Sequence, residues 1–483
     1  MPSHYDVIIV GTGFASSFFL MRYLERAPQT SRILVLERGN EDTKAWQLAN
    51  QKHTSIDPED LVHNDNPGKE WYTSPGFGGN SKCWMGGTTR MMPGDFKLKS
   101  RYGVGMDWPI SYDDLEPHYG VVEQVMLVSG PDDSPMPRSR PVPLVPHRFS
   151  DPDALLKKHF PEGWYQMSTA RASVATGKRG ICCASGSCVL CPVDAKFTIQ
   201  NGLAEIYRDP RVTLRLRAEV QTVETAAGVA RAVNYLHEKQ QSRDTADLIV
   251  LGASALFNPH ILLRSGFSHP LIGRRLHEQM SVYVTVDLKG VKCYNGSTVL
   301  SGLGYLFYEG DHRADHAACM IETWSSPFAY KLDDALRMER GRWSERLIMG
   351  FLFDDIPSDA NRVTVSSSNP SVANVHFEDF SEYAKKAGDR IPQMIDKLAE
   401  ALPIERLVGT SIGTTAAHIQ GTVVMGDDPT TSVVDRYLVH HEYRNLLVLG
   451  ASSYPTASPA YPTLTVSALS LWAADHLLGG AST

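Results

Sequence analysis

No apolar run in this chain reaches the roughly 18 residues that a membrane-spanning helix needs. Nor is there a run of five or six like charges, and the net charge is −7 over 483 residues. The basic stripe of a nucleic-acid binder and the polybasic patch of a membrane-surface protein are both missing. Cysteine is scarce: seven residues, with Cys83, Cys293 and Cys319 isolated. An odd, sparse set excludes a secreted disulfide framework and makes a reducing cytoplasm the default, with export alongside a signal-bearing partner as the alternative. The apolar stretch 7–21 has no Lys or Arg before it and is broken by Gly11 and Gly13, so it reads as strand, turn and helix rather than as a signal segment. Internal repeats and low-complexity tracts are also missing. What remains is 42% apolar and 21% charged, an ordinary globular composition with length for about three domain-equivalents.

The positive signals begin at the N-terminus. Asp6–Val10 is a short apolar run ending at a glycine, as a buried parallel strand should. A helix is expected over Phe14–Glu25 and a second buried strand over Arg32–Leu36, which makes a βαβ unit. Between them, Gly11-Thr12-Gly13-Phe14-Ala15-Ser16 matches G-x-G-x-x-G with Ser16 in the third place. The first glycine makes the tight turn, the second lets backbone approach a pyrophosphate at the helix N-terminus, and a small third residue allows helix and strand to pack closely. Glu37 ends the second strand, where a carboxylate can take a ribose hydroxyl pair. Buried strands recur at Asp247–Leu251 and Asn445–Leu449, ending at Gly252 and Gly450. Six prolines between Pro131 and Pro146 mark an extended connector. Residues 275–400 mix alternating segments with one helix near Ile391–Leu402, and Leu464–Leu478 reads as a final helix. The fold class expected is α/β: a Rossmann-like domain built from distant segments, with a sheet domain interleaved.

Several further segments resemble the glucose–methanol–choline (GMC) flavoprotein oxidoreductases. Ser254–Gly266 resembles the family's second signature, with Asn258 where Ser or Thr is usual. Gly78-Gly79-Asn80-Ser81-Lys82-Cys83-Trp84 resembles the segment that lies along the flavin. His418-Ile419-Gln420-Gly421-Thr422, Ser432–Asp435 and Pro462-Thr463-Leu464-Thr465 look like the catalytic end. Trp108-Pro109-Ile110 with the following YDDLEPHY, the NRVTV strand and a cysteine cluster look most like the bacterial sugar and polyol dehydrogenases. The resemblance implies FAD, a largely antiparallel substrate domain over the flavin, and oxidation of a hydroxyl of a sugar, polyol or related alcohol. It implies an FAD-binding domain from 1–100, 192–275 and 410–483, and a substrate domain from 101–191 and 276–409. His418 is implied as the base, since imidazole suits proton abstraction near neutral pH. Tyr461 stands where a second His or Asn is usual; it can serve as a hydrogen-bonding partner or as a bulky wall. The implied cofactor-binding set takes in Arg38, Gly79, Asn80, Ser81, Cys83, Val220, Ala253 and Ala451 beside the glycine turn, with Gly252, Gly450, Pro462, Thr463 and Leu464.

Cys182-Cys183-x4-Cys188-x2-Cys191-Pro192 crowds thiols on one loop, as iron–sulfur ligation wants. In the similar dehydrogenases such a loop holds a [3Fe–4S] centre on three cysteines, which implies Cys183, Cys188 and Cys191 here and an electron-acceptor protein or small subunit as partner. The spacing is one residue short of theirs. Zinc and a metal-free or disulfide-bonded loop are the rival readings, the first weakened because only one C-x-x-C is present. The functional rivals are an oxidase with structural cysteines and an electron-transfer flavoprotein without alcohol turnover. Gly409-Thr410-Ser411-Ile412-Gly413 matches a nucleophile elbow but lacks the strand-to-helix setting. His312 and His316 have metal-like spacing in a charged, surface-type segment, and Cys83 reads as a small packing residue.

Overall fold

The computed structural model describes residues 3–326 and 333–479. Its first sheet runs Val212–Arg215, Ile33–Leu36, His4–Val10, Gln240–Leu251 in parallel, and continues into the antiparallel pair Val229–His237 and Ala218–Ala226. Leu446–Val448 adds in parallel to the C-terminal part of Gln240–Leu251. That long strand therefore serves two neighbours on one edge. Ile33–Leu36 and Ile8–Ile9 are wholly buried, which is why these strands read as continuous apolar runs instead of alternating ones. Val212–Arg215 and Ala218–Ala226 are separate strands, broken by Arg217 with φ +53°.

The helix Phe14–Arg26 covers this sheet, and the C-terminal helix Pro462–Leu477 packs on it. The C-terminal helix is buried from Pro462 through Ala474, apart from the partly exposed Thr463, so an apolar stripe confined to one face would not suffice. Tyr112–Met126 closes its other side, with Tyr119 Oη 2.8 Å from Thr465 Oγ1. That helix lies inside the span expected for the substrate domain, yet it packs with the nucleotide-side core.

The second sheet is six-stranded and antiparallel, in the order Ile404–Ile412, Met280–Leu288, Arg346–Phe353, Cys319–Trp324, Leu300–Phe307, Trp164–Gln166. Its two central strands are buried on both faces. Side chains alternate across a strand. Ile321, Met349, Phe351 and Val284 thus face a core closed by the helices Glu382–Gly388 and Ile391–Ala399, while Met320, Trp324 and Leu352 face the nucleotide-side core. The GxSxG match lies on the exposed edge strand Ile404–Ile412, not at a strand-to-helix turn. A third small sheet joins Val62–Asn64 to Ala373–His376 and Arg362–Val365. No helix among the described residues is long and apolar enough to cross a membrane.

Candidate active site

A cavity of about 630 Å³ runs from the glycine turn to His418 and Tyr461. Gly11 sits at φ +90°, and a Cβ there would lie 2.6 Å from the Gly252 carbonyl oxygen. A Cβ on Gly13 would meet nothing within 4 Å; its open face belongs to the cavity wall, at the N-terminus of a 13-residue helix. Ser16 lies beneath this turn and donates to the Val10 carbonyl (3.2 Å). A Cβ on Gly252 would come to 2.0 Å from its Oγ, so the small third residue allows the close helix–strand approach.

Of the expected cofactor set, Phe14, Ala15, Glu37, Arg38, Gly79, Asn80, Cys83, Val220, Gly252, Ala253, Gly450, Ala451, Pro462 and Thr463 line the cavity with Gly11 and Gly13. Ser16, Ser81 and Leu464 do not. Ser81 is buried, donating to Gly78 O (2.6 Å) and accepting from the Ile199 N–H (3.1 Å), and Leu464 is core. Cys83 is half-buried against the cavity instead of being packed away.

Glu37 is spoken for. Its carboxylate accepts from the Thr12 N–H (3.1 Å) and Oγ1–H (2.7 Å), and from the Gly39 (3.0 Å) and Gly76 (2.9 Å) N–H groups. Four donors fill the four acceptor positions of a carboxylate, so here it clips three loops together and leaves none for a ribose. Two buried polar atoms near this end have no partner among the described residues, Arg38 Nη1 and His260 Nε2. Both residues line the cavity. Asn258, the departure in the second signature, accepts from the Ala253 N–H (2.7 Å) and donates to Leu449 O (2.8 Å) and Ser452 Oγ (2.9 Å). Its amide ties two cavity-lining turns together by donating twice, where a serine hydroxyl could donate once.

His418 is held by the dipeptide Glu278-Gln279, which the sequence reading missed. Gln279 Nε2 donates to the carbonyls of Ser458 (2.7 Å) and Ala460 (2.8 Å). Its Oε1 is therefore the acceptor that meets His418 Nδ1 at 2.9 Å. The proton must sit on Nδ1, which leaves Nε2 with the lone pair of a base. Burial holds the imidazole neutral by lowering its pKa to about 4. Glu278 accepts from the Ala416 N–H (3.1 Å), the His418 N–H (3.2 Å), Thr415 Oγ1 (3.0 Å) and Lys69 Nζ. These bonds hold the loop even though Ala417 takes a left-handed φ of +60°, a conformation that costs a non-glycine residue about 1–3 kcal/mol.

Tyr461 stands beside His418, ring centroids 5.5 Å apart, and precedes the C-terminal helix with Pro462 in its first turn. Its hydroxyl donates to Glu322, a second residue the sequence reading missed. A carboxylate in the apolar run CMIETW, in step with Met320 and Trp324, was the available signal.

The cysteine loop is differently arranged from the implied ligand set. Cys183 is exposed, Cys188 and Cys191 are buried and Cys182 is half-buried. Burial pushes the Cys188 thiol pKa up, and Cys182 and Cys191 add to the rise. Cys191 Sγ accepts from the Ala195 N–H (3.2 Å). Among the described residues no three His, Cys, Asp or Glu side chains converge on a metal position. Lys196 anchors the loop to the cavity wall, donating to Lys82 O (2.6 Å), Trp84 O (2.9 Å) and Val189 O (3.2 Å).

A dinucleotide turn, a second sheet over the same cavity and a neutral histidine at its far end define a dinucleotide-dependent oxidoreductase. GMC oxidoreductase family models match residues 146–281 and 357–470. The chain belongs to the GMC oxidoreductase family, FAD-dependent enzymes acting on CH–OH groups. It is 26% identical to the fructose dehydrogenase large subunit of Gluconobacter japonicus over 98% of this chain and 97% of that protein. It is 25% identical to paromamine 6'-oxidase of Streptomyces fradiae over 98% and 91%, and 25% identical to the gluconate 2-dehydrogenase flavoprotein of Pantoea cypripedii over 83% and 78%. In fold it is similar to pyridoxine 4-oxidase from Mesorbium loti, with TM-score 0.70 at 17% identity over 99% and 100% of the two chains.

Proposed function

We propose that this chain is an FAD-dependent dehydrogenase that oxidises a hydroxyl of a sugar, polyol or related alcohol to a carbonyl. The observation that carries this is His418, neutral and with its Nε2 lone pair unclaimed, at the end of the cavity opposite the glycine turn. FAD fits the residues present: the open face of Gly13, at the N-terminus of a 13-residue helix, belongs to that one cavity, and Arg38 and His260 are among the residues that line it. Gly11 and Gly13 would take the pyrophosphate, and Arg38 and His260 the polar groups of the adenosine half. Pro462 and Thr463, at the start of the C-terminal helix, would present a positive helix end to the flavin. Bound FAD supplies the hydride acceptor. His418 Nε2 takes the hydroxyl proton as the carbon gives up its hydride, so proton and electron pair leave the alcohol separately. Met85, Leu300, Trp324 and Leu352 are among the apolar side chains that line the cavity.

An iron–sulfur centre as electron exit rests on the resemblance of the cysteine run. As folded, the loop does not converge three thiols, and no step is derived through a cluster. That same arrangement favours a second reading of the exit, direct return of electrons to oxygen or a small acceptor. The deciding experiment is anaerobic addition of an alcohol and sugar panel to the FAD-loaded protein, with iron and acid-labile sulfide counted on the same sample. Bleaching of the flavin by a polyol or sugar is expected, and failure of the whole panel removes the alcohol-oxidation reading. Stoichiometric iron and sulfide would establish the cluster; rapid reoxidation in air of an iron-free protein would establish the oxidase.

A further inference from the structure

Glu322 is buried in the wall of the cavity beside Tyr461. The chain makes room for this pair on both sides. A Cβ on Gly350, across the strand pair, would lie 2.6 Å from Glu322 Oε1, and a Cβ on Gly87 would lie 2.6 Å from the Tyr461 ring. The carboxyl accepts from Tyr461 Oη on one oxygen and from Trp324 Nε1 (3.1 Å) on the other. Two of its four acceptor positions are left without a partner among the described residues. Arg171 is the cation that acts on it electrostatically, but its guanidinium is committed to Thr298 Oγ1 (2.7 Å) and to the Leu300 (3.4 Å) and Met85 carbonyls. Arg38, at the dinucleotide end, is the one Arg or Lys among the described cavity-lining residues. The other lining carboxyls are distant in role: Glu37 is saturated by the glycine-turn loops, and Glu70 is exposed at the Thr414 rim.

We propose that Glu322, steered by Tyr461 and Trp324, is the specificity-determining residue of this site, and that the alcohol oxidised here carries a hydroxyl or ammonium donor near the reacting carbon and no carboxylate. The inference rests on the alcohol-oxidation reading above. A hydrogen-bond donor on the substrate fills the open acceptor positions. A substrate carboxylate meets a buried acid instead, with no uncommitted cation among the described residues facing it, and like charges brought together out of water repel strongly. Burial raises the Glu322 pKa; an ammonium beside it would offset that by stabilising the carboxylate in an ion pair, whereas a carboxylate would force either repulsion or proton uptake.

The test uses the FAD-loaded full-length protein and three six-carbon probes, glucitol, glucamine and gluconate, read by anaerobic flavin reduction as kcat/KM. Glucitol or glucamine is expected to reduce the flavin at least about tenfold more efficiently than gluconate, and Glu322→Gln, whose amide can donate to a carboxylate, to narrow that ratio by about tenfold. Tyr461→Phe keeps the carboxyl and is expected to keep the discrimination. Gluconate equal to or better than the other two in the native protein overturns the proposal, as does an unchanged ratio in Glu322→Gln or an equal loss of discrimination in Tyr461→Phe. If Glu322→Gln does not load FAD, the native panel and Tyr461→Phe still decide. If none of the three probes and no wider panel bleaches the flavin, the oxidation reading has failed. Binding of the same probes, followed by the shift in the flavin spectrum, then judges specificity separately: gluconate binding as tightly as glucamine overturns it, and weaker binding upholds it.

Discussion

His418 needs Gln279 to be a base on the correct nitrogen. Without an acceptor at Nδ1 the ring can take the other tautomer or turn away. His418→Ala is expected to lower the rate of flavin reduction by about 10²–10⁴-fold. Gln279→Leu should lower it by roughly 10- to 100-fold through misplacement of the proton. The two losses should not add, because both act through one imidazole; a double-mutant cycle on single-turnover rates checks this. At this scale the sequence was half legible. His418 stood out through its H-x-x-G-T setting and the glycine turn through its spacing. Gln279 and Glu322 are each 139 positions from the side chain they serve, and nothing local to either marks that pairing. Glu37 shows what position alone leaves out: it suggested a ribose contact, and in the fold the same carboxylate, on the cavity wall, accepts from four protein donors.

At the scale of elements, the two glycines of the phosphate turn separate folding from binding. Gly11→Ala puts a Cβ against the Gly252 carbonyl at positive φ and should cost about 1–3 kcal/mol of stability, measured by denaturant unfolding of the FAD-free protein. Gly13→Ala has open space for its methyl. The FAD-free protein should unfold at an unchanged midpoint, while FAD affinity falls by at least about tenfold because the methyl occupies the approach to the pyrophosphate. The 414–418 loop offers a second element-scale prediction. Glu278→Gln breaks a buried pair with Lys69 and weakens three bonds to the loop. A loss of about 3 kcal/mol is expected, with amide exchange rising first at residues 414–418. Elements set by short-range patterns were readable: the βαβ start, the strands ending at Gly252 and Gly450, and the closing helix. The elbow-like Gly409–Gly413 falls on and just after the edge strand Ile404–Ile412, where an apolar–polar run of nine gives little to distinguish strand from helix without its neighbour.

For the whole molecule, burial of neutral imidazoles sets the acid limit. Desolvation lowers the pKa of His53, His147, His260, His277, His418 and His440 to about 4 each. In the unfolded chain they protonate near 6.5. Below that pH the unfolded state binds more protons than the folded one, so stability falls as pH drops from 6.5 towards 4. Asp354 and Asp355, raised by burial to about 7 and about 6, act in the opposite sense and offset part of the loss. A net loss of at least about 3 kcal/mol between pH 7 and 4.5 is expected from denaturant titrations; a flat or rising profile would show that the carboxyls outweigh the histidines.

The sequence by itself determined the dinucleotide turn, the buried parallel strands and the class of chemistry. Each is written in contiguous residues whose conformations follow from local sterics and from burial of every side chain in a strand. The tertiary structure alone decided what those parts can do. Two sheets had to be stacked before alternate residues of a central strand became a cavity wall and before Gln279 could choose the His418 tautomer. Hydrogen bonds and burial act at a few ångströms, and only the folded chain brings residues 139 positions apart to that distance.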